Sequence, residues 1–283
     1  MKIIDSPREG MQSLDRVIAT ADKVRYINHL MQAGLDTVET GSLASPKVIP
    51  QLADTLEVLR VLERGPGATN LMVLALNGRG AEVLASHERV THISYPFSFS
   101  PVFLERNLKT TVEESLATVA GIVSLCSRNG KEPVIYISMA FGNPYGDPWS
   151  LELLAEWTGR LHRAGVRTLV LSNVSVEIGA GLIREAFTPL LPLFPDMEFG
   201  LHLHTSREGW TEKVEAAWET GVRRFDGVMN GRGGCPMAGG KMLGNLKTEN
   251  LVEFARMKGI SCGVDEAVLE TAGREAGILF NYE

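Results

Sequence analysis

A short apolar run followed by a longer segment of helical period recurs along the whole chain, and no other feature restricts the fold as strongly. The short runs, rich in β-branched and large apolar residues, read as strands over 2–5, 36–40, 71–76, 90–96, 133–139, 167–173, 197–204 and 223–229. Between them, residues such as Val112, Leu116, Val119 and Val123, or Trp210, Val214 and Ala217, recur at helical spacing and give each helix one apolar stripe. Eight strand-then-helix units in 283 residues match the unit count and size of an α/β fold of the (β/α)8, or TIM barrel, class. No low-complexity linker divides the series, so a single domain over 1–283 is expected. A doubly wound open sheet is the rival architecture, but no Gly-x-Gly-x-x-Gly follows the first strand. Residues 265–283 read as an extra C-terminal helix that closes the barrel or packs against a partner subunit.

Composition narrows the class of activity. A hydrophobic content of 44% supplies a sizeable core, and a net charge of −6 argues against a nucleic-acid or anionic-membrane partner. The three cysteines, Cys126, Cys235 and Cys262, are far apart and form no Cys-x-x-Cys pair, which excludes a disulfide framework and a zinc knuckle. The first residues lack the pattern of a secretory signal, and no apolar run reaches membrane-spanning length. A cytoplasmic protein with a small-molecule partner is expected.

In a barrel of this class the chemistry gathers at the C-terminal ends of the strands. Arg8, Glu9 and Gln12 follow the first strand, Glu39 lies near the end of the second, and His202 and His204 lie on the seventh. A glycine-rich stretch from Gly231 through Cys235 to Gly240, then Gly244-Asn245, follows the eighth. Strand residues two apart share a face, with Cα atoms roughly 6–7 Å apart, so both imidazoles can reach one ion, although ordinary hydrogen bonds can also satisfy such a pair. With the Glu9 carboxylate and the Asn245 amide oxygen they make a mixed nitrogen and oxygen set that suits Mg2+ or Mn2+ better than a thiolate zinc site does. Arg8 beside it offers a planar donor fork for an enolate or a carboxylate. Glu39 in an interior strand needs a partner, and a salt bridge that orients Arg8 is favoured over direct catalysis. Cys235, in a loop freed of side chains by its glycines, can be delivered to substrate on closure, whereas Cys126 and Cys262 read as small buried hydrophobes.

The motifs are distributed over nearly the whole chain: Pro7-Arg8-Glu9-Gly10-Met11-Gln12, Ala33-Gly34-Leu35 through Glu39-Thr40-x-Ser42, Ser45-Pro46-Lys47, Ser138-x-Ala140-x-Gly142-x-Pro144-Tyr145, His202-x-His204, Gly233-Gly234-Cys235-Pro236 and Gly244-Asn245-Leu246. Together they resemble the metal-dependent carbon–carbon lyases of the 3-hydroxy-3-methylglutaryl-CoA lyase type, within the DRE-TIM metallolyases. The resemblance implies a barrel, often dimeric, with a divalent metal ion on Glu9, His202, His204 and Asn245 and an acyl-CoA substrate cleaved by a retro-Claisen reaction. Arg8 would stabilise the thioester enolate, Cys235 would take part in proton transfer, and Gln12, Asn173, Gly233 and Gly234 are the candidate substrate contacts.

Four positions depart from the family pattern. Glu9 and Asn173 stand where the family carries Asp, Thr205 replaces an Asp after the second histidine, and Asp15 replaces a lysine. These departures predict weak turnover of 3-hydroxy-3-methylglutaryl-CoA and better turnover of a thioester of different acyl shape or charge. Returning Glu9 and Asn173 to Asp is expected to raise activity on the default substrate. Two rivals stand beside the lyase: an aldolase or Claisen-type synthase acting on a 2-oxo acid, and a degenerate barrel with a binding role.

Overall fold

The structure is a computed structural model that describes residues 1–63, 69–174, 176–234 and 243–280. Cys235 and the glycines at 239 and 240 lie outside the described residues. Eight parallel strands close into a barrel: β1 (Lys2–Asp5), β2 (Thr37–Ser42), β3 (Asn70–Leu74), β4 (His92–Phe97), β5 (Glu132–Ser138), β6 (Thr168–Ser172), β7 (Glu198–His202) and β8 (Arg224–Gly227). β1 pairs with β2 through Ile4 and Thr37 and with β8 through Ile4 and Asp226, which completes the ring.

Alternation along the strands separates two apolar layers. Ile3, Ile135, Ile137, Leu169 and Leu171 join the large core shared with the helices, whereas Ile4, Val134, Tyr136 and Val170 pack with Met72 as a smaller cluster. This second set lies inside the barrel. The register carries that inner face upward, pairing Ser138 with Ser172, Ser172 with His202 and His202 with Asp226, so these four form one row at the C-terminal end of the strands. Lower down, Gly200 leaves room for the fully buried Arg224, whose Cδ would lie 3.0 Å from a Cβ added there.

The helices follow local signals. Val112–Asn129 starts at a capping box between Thr111 and Glu114 and stops at Gly130, whose φ is 62°. Its buried stripe is Ser115, Val119, Ile122 and Cys126; Val112, Leu116 and Val123 lie on its flanks, partly buried against the core. Cys126 is buried as expected, but Cys262 is only partly so. The C-terminal helix Glu266–Phe280 lies against the helix Thr20–Gln32, where the Phe280 ring meets Tyr26 edge-on at 5.6 Å and Glu275 engages His29 Nδ1 at 2.6 Å. It seals the seam between the first and last units of the barrel. Among the described residues no helix is long and apolar enough to cross a membrane.

One local expectation is corrected, the end of the seventh strand. Residues 7–12, which follow β1, form a short helix, Pro7–Gln12, where Pro7 at the start brings a preset φ and needs no N–H partner. β7 ends at His202, so His204 lies beyond the regular ladder, where its bridge to Asn245 is antiparallel and isolated.

Candidate active site and metal centre

The helix Pro7–Gln12 places Arg8, Glu9 and Gln12 at the mouth of β1, and Arg8 and Gln12, one turn apart, meet at 3.1 Å from Nη1 to Oε1. Arg8 is buried and clamped by Glu39: Nε and Nη2 donate to Glu39 Oε2 at 2.9 and 2.6 Å. The Glu39 carboxylate also accepts the hydroxyls of Ser6, at 2.5 Å, and Ser94, at 2.8 Å. Four donors therefore fix this buried anion, and its geometry supports the orienting role. On the other side Arg8 Nη1 lies 3.2 Å from Glu9 Oε1, a buried pair rather than a surface one. Burial opposes the charge on Arg8, but Glu39 and Glu9 more than offset it and raise its pKa.

Glu9 Oε2 points toward both imidazoles, 3.5 Å from His202 Nε2 and 3.6 Å from His204 Nε2. These three atoms and Asn245 Oδ1 are buried and have no hydrogen-bond partner among the described residues. Leaving four such groups unpaired in a protein interior is expensive. Glu9, His202 and His204 offer ligand atoms all within 4.8 Å of one another. A carboxylate, two ring nitrogens and an amide oxygen, each lacking a partner among the described residues, are a donor set that suits a divalent cation. Burial works against ionisation of Glu9, yet the charges of Arg8 and His202 hold it well below the usual carboxylate range. Burial would likewise lower the pKa of His202, but Glu9 and Asp226 raise it to about 10.

Two of these four groups, His202 and Asn245, are held from behind. Asp226 Oδ2 lies 3.3 Å from His202 Nδ1 and accepts the Tyr136 hydroxyl at 2.6 Å. Asn245 Nδ2 donates to the Arg232 carbonyl at 2.8 Å, which turns Oδ1 the other way. Gly233, with φ of 84°, lies so close to Glu9 that an added Cβ would sit 2.4 Å from the Glu9 carbonyl oxygen and 3.2 Å from Asn245 Nδ2. Only glycine lets the chain after β8 lie against both Glu9 and Asn245 at once. Gly234 follows it, also at positive φ. Beyond His204, the Thr205 hydroxyl meets Glu177 at 3.0 Å and Lys213 at 2.7 Å, and Lys213 pairs with Glu177, pinning this stretch to the one after β6.

Arg8, Glu9, Gln12, His202 and His204 line a cavity of about 440 Å³. Leu74, Leu76, Pro96, Phe103 and Val174 make much of its wall, beside Ser138 and Ser172. Asn173 is not part of that wall. Its amide is turned to the backbone of His204 and Val176, so the expected substrate contact is not what the geometry provides. Sequence reasoning missed Asp226, Tyr136, Ser6 and Ser94. A signal existed for Asp226, since an acidic residue one alternation above Arg224 in a predicted interior strand requires a partner. Nothing in the sequence pairs the two serines with Glu39.

A family model described as HMGL-like matches residues 1–274. The chain is 32% identical over 277 residues to mouse mitochondrial hydroxymethylglutaryl-CoA lyase, covering 96% of this chain and 83% of the mouse protein. It is 30% identical over 280 residues to the (R)-citramalyl-CoA lyase of Chloroflexus aurantiacus, covering 95% and 88% of the two chains. Among solved structures, the HMG-CoA lyase of A. baumannii in complex with coenzyme A and 3-methylmalate superposes with a TM-score of 0.91 at 27% identity, covering 100% of this chain and 92% of the other.

Proposed function

This chain belongs to the HMGL-like family, and on that premise we propose how its site works as a divalent-metal-dependent carbon–carbon lyase on a CoA thioester. The substrate is a 3-hydroxyacyl-CoA, either 3-hydroxy-3-methylglutaryl-CoA or a thioester related to it, such as citramalyl-CoA. Glu9, His202, His204 and Asn245 would hold the ion, Mg2+ or Mn2+; the first three bring their ligand atoms together, and the Asn245 Oδ1 is buried and unpartnered among the described residues. When bound, the ion supplies a Lewis acid for the oxygens of the substrate alcohol.

The chain's own residues carry the rest of the reaction. A base takes the hydroxyl proton, the carbon–carbon bond breaks, and its electron pair passes to the thioester fragment as an enolate. Arg8 faces that developing charge, and it is already locked by Glu39, so little reorganisation is required at the moment of cleavage. Cys235, which follows β8 in the sequence, returns a proton to the enolate carbon to release the acyl-CoA, leaving the keto acid as the second product. Gln12 extends the Arg8 side of the cavity toward substrate, and Gly233 and Gly234 shape the loop beside Glu9 and Asn245. The protein works as a cytoplasmic homodimer in this reading.

Three unpartnered ligand atoms gathered together, those of Glu9, His202 and His204, beside a clamped arginine carry the proposal. The same feature disfavours a degenerate barrel, and the acyl-CoA lyase relatives disfavour a synthase acting on 2-oxo acids. The test is a panel of 3-hydroxyacyl-CoA thioesters incubated with enzyme and Mg2+ or Mn2+, with products read by mass spectrometry. A shorter acyl-CoA and a keto acid in equal amounts are expected from at least one thioester. No cleavage of any member of the panel, with the metal bound, would overturn it.

A further inference from the structure

His204 lies two residues past the last paired residue of β7, His202, yet three of its groups are held by one neighbour. Asn173, directly after β6 and 1% exposed, accepts the His204 backbone N–H on Oδ1 at 2.9 Å. Its Nδ2 donates to the His204 carbonyl at 2.7 Å and to the Val176 carbonyl at 2.8 Å. The backbone oxygen of Asn173 lies 2.6 Å from His204 Nδ1. A carbonyl can only accept, so Nδ1 carries a proton, and in the neutral ring the lone pair is then on Nε2, the atom that faces Glu9.

The regular ladder between β6 and β7 ends at Ser172 and His202. One residue on, the carboxamide of Asn173 supplies the donor and the acceptor that a further strand residue would have offered, because a side-chain amide has the same two groups as a peptide. The opposite edge is tied by Leu246 N–H to the Leu203 carbonyl and by Thr205 N–H to the Gly244 carbonyl, each at 2.8 Å. His204 is therefore gripped between Asn173 and the segment that carries Asn245.

We propose that Asn173 is a positioning residue of the metal centre, extending the barrel ladder by one residue so that His204 meets the ion with Nε2. The inference rests on the proposed metal site but not on the identity of the substrate. It runs against the expectation drawn from family resemblance, in which Asp at 9 and at 173 together improves the enzyme. A carboxylate there has no hydrogen to donate, and it would set an anionic oxygen against the carbonyls of His204 and Val176.

The test measures Mn2+ affinity of the purified, metal-free chain for wild type, Asn173→Asp and Asn173→Ala. A carboxylate acting only through its charge would strengthen cation binding, whereas loss of positioning weakens it. Asn173→Asp is expected to weaken binding at least tenfold, the low end of the range for residues that orient metal ligands, and Asn173→Ala to weaken it too. A core variant remote from the site, Ile122→Val, with melting temperatures measured for every protein, separates positioning from general destabilisation, since it should leave Mn2+ affinity unchanged. Equal or tighter binding by Asn173→Asp would overturn the proposal. If the variants fail to fold, a long-range proton–nitrogen correlation spectrum of the wild-type imidazoles decides it. His204 protonated on Nδ1 supports the proposal, and protonation on Nε2 refutes it. Wild type that binds no Mn2+ would instead refute the metal site itself.

Discussion

His202 Nδ1 lies 3.3 Å from Asp226 Oδ2, and the same carboxylate oxygen accepts the Tyr136 hydroxyl at 2.6 Å. A carboxylate behind a ligating imidazole fixes the ring and increases its basicity. Asp226→Asn should therefore weaken divalent-ion affinity by roughly 10- to 100-fold, measured by calorimetric titration with Mg2+ or Mn2+. Tyr136→Phe, which leaves the carboxylate in place, should have the smaller effect. Unchanged affinity in Asp226→Asn would show that His202 is held by other contacts.

Glu39 gathers Arg8, Ser6 and Ser94 around one buried carboxylate. Glu39→Gln places an NH2 group among donors that need acceptors, so the Arg8 fork should lose its setting. We expect kcat on a cleaved thioester to fall about 10²- to 10³-fold, the scale for removing a group that stabilises developing charge, with little change in KM. A larger effect on KM than on kcat would mean that Glu39 serves ground-state binding instead.

Asp5 gives a pH dependence that is independent of the metal. Its Oδ1 accepts the Thr248 hydroxyl, its Oδ2 has no partner among the described residues, and it is fully buried. Burial pushes its pKa up from 3.8 to about 8, with Glu249 adding to the rise and the Thr248 bond opposing it. A raised folded-state pKa means that the favourable contribution is complete below the unfolded value, falls as the unfolded chain ionises, and is lost once pH passes the folded value. A shift of this size corresponds to a change on the order of 5 kcal/mol. Asp5→Asn mimics the neutral acid, so the variant should gain on wild type steadily between about pH 4 and 8 and then level off. Urea midpoints for the two proteins across that range test this, and parallel curves would contradict it.

Much of this architecture is legible in the order of residues, and the reason is local. Each strand announces itself by a short apolar run and each helix by its period, and the barrel rule then gathers Arg8, Glu9, Glu39, His202, His204 and Asn245 at one end. Adjacency of β1 and β2 is enough to anticipate the pairing of Arg8 with Glu39. What stays hidden depends on which groups meet across the barrel. Ser94 reaches Glu39 over 55 positions of chain, and Tyr136 reaches Asp226 over 90. Asn173 is hard to read for a related reason: comparison with an Asp assumes that the residue faces substrate, whereas its amide is turned to the His204 backbone. The end of β7 at His202 is equally invisible, because Leu203 and His204 continue the apolar alternation after the ladder has stopped.

Glu9 is one methylene longer than the family's Asp, yet its Oε2 already reaches to 3.5 and 3.6 Å from the two imidazole nitrogens. Glu9→Asp should draw that oxygen back by about 1 Å, a displacement that can cost roughly a hundredfold in rate. Family resemblance expects Glu9→Asp together with Asn173→Asp to raise activity on 3-hydroxy-3-methylglutaryl-CoA, whereas the geometry expects Glu9→Asp to lower both metal affinity and turnover. A steady-state comparison at saturating Mg2+ separates the two, and a gain in turnover would show that the present chain needs the shorter arm.

The central claim is that one divalent ion is held by Glu9, His202, His204 and Asn245. Equilibrium dialysis against Mn2+, followed by elemental analysis of wild type and of the double variant His202→Ala with His204→Ala, measures it directly. The account predicts one ion per chain for wild type and none for the double variant, with the barrel still folded by circular dichroism. Equal occupancy in the two proteins, or no ion in wild type, would contradict it.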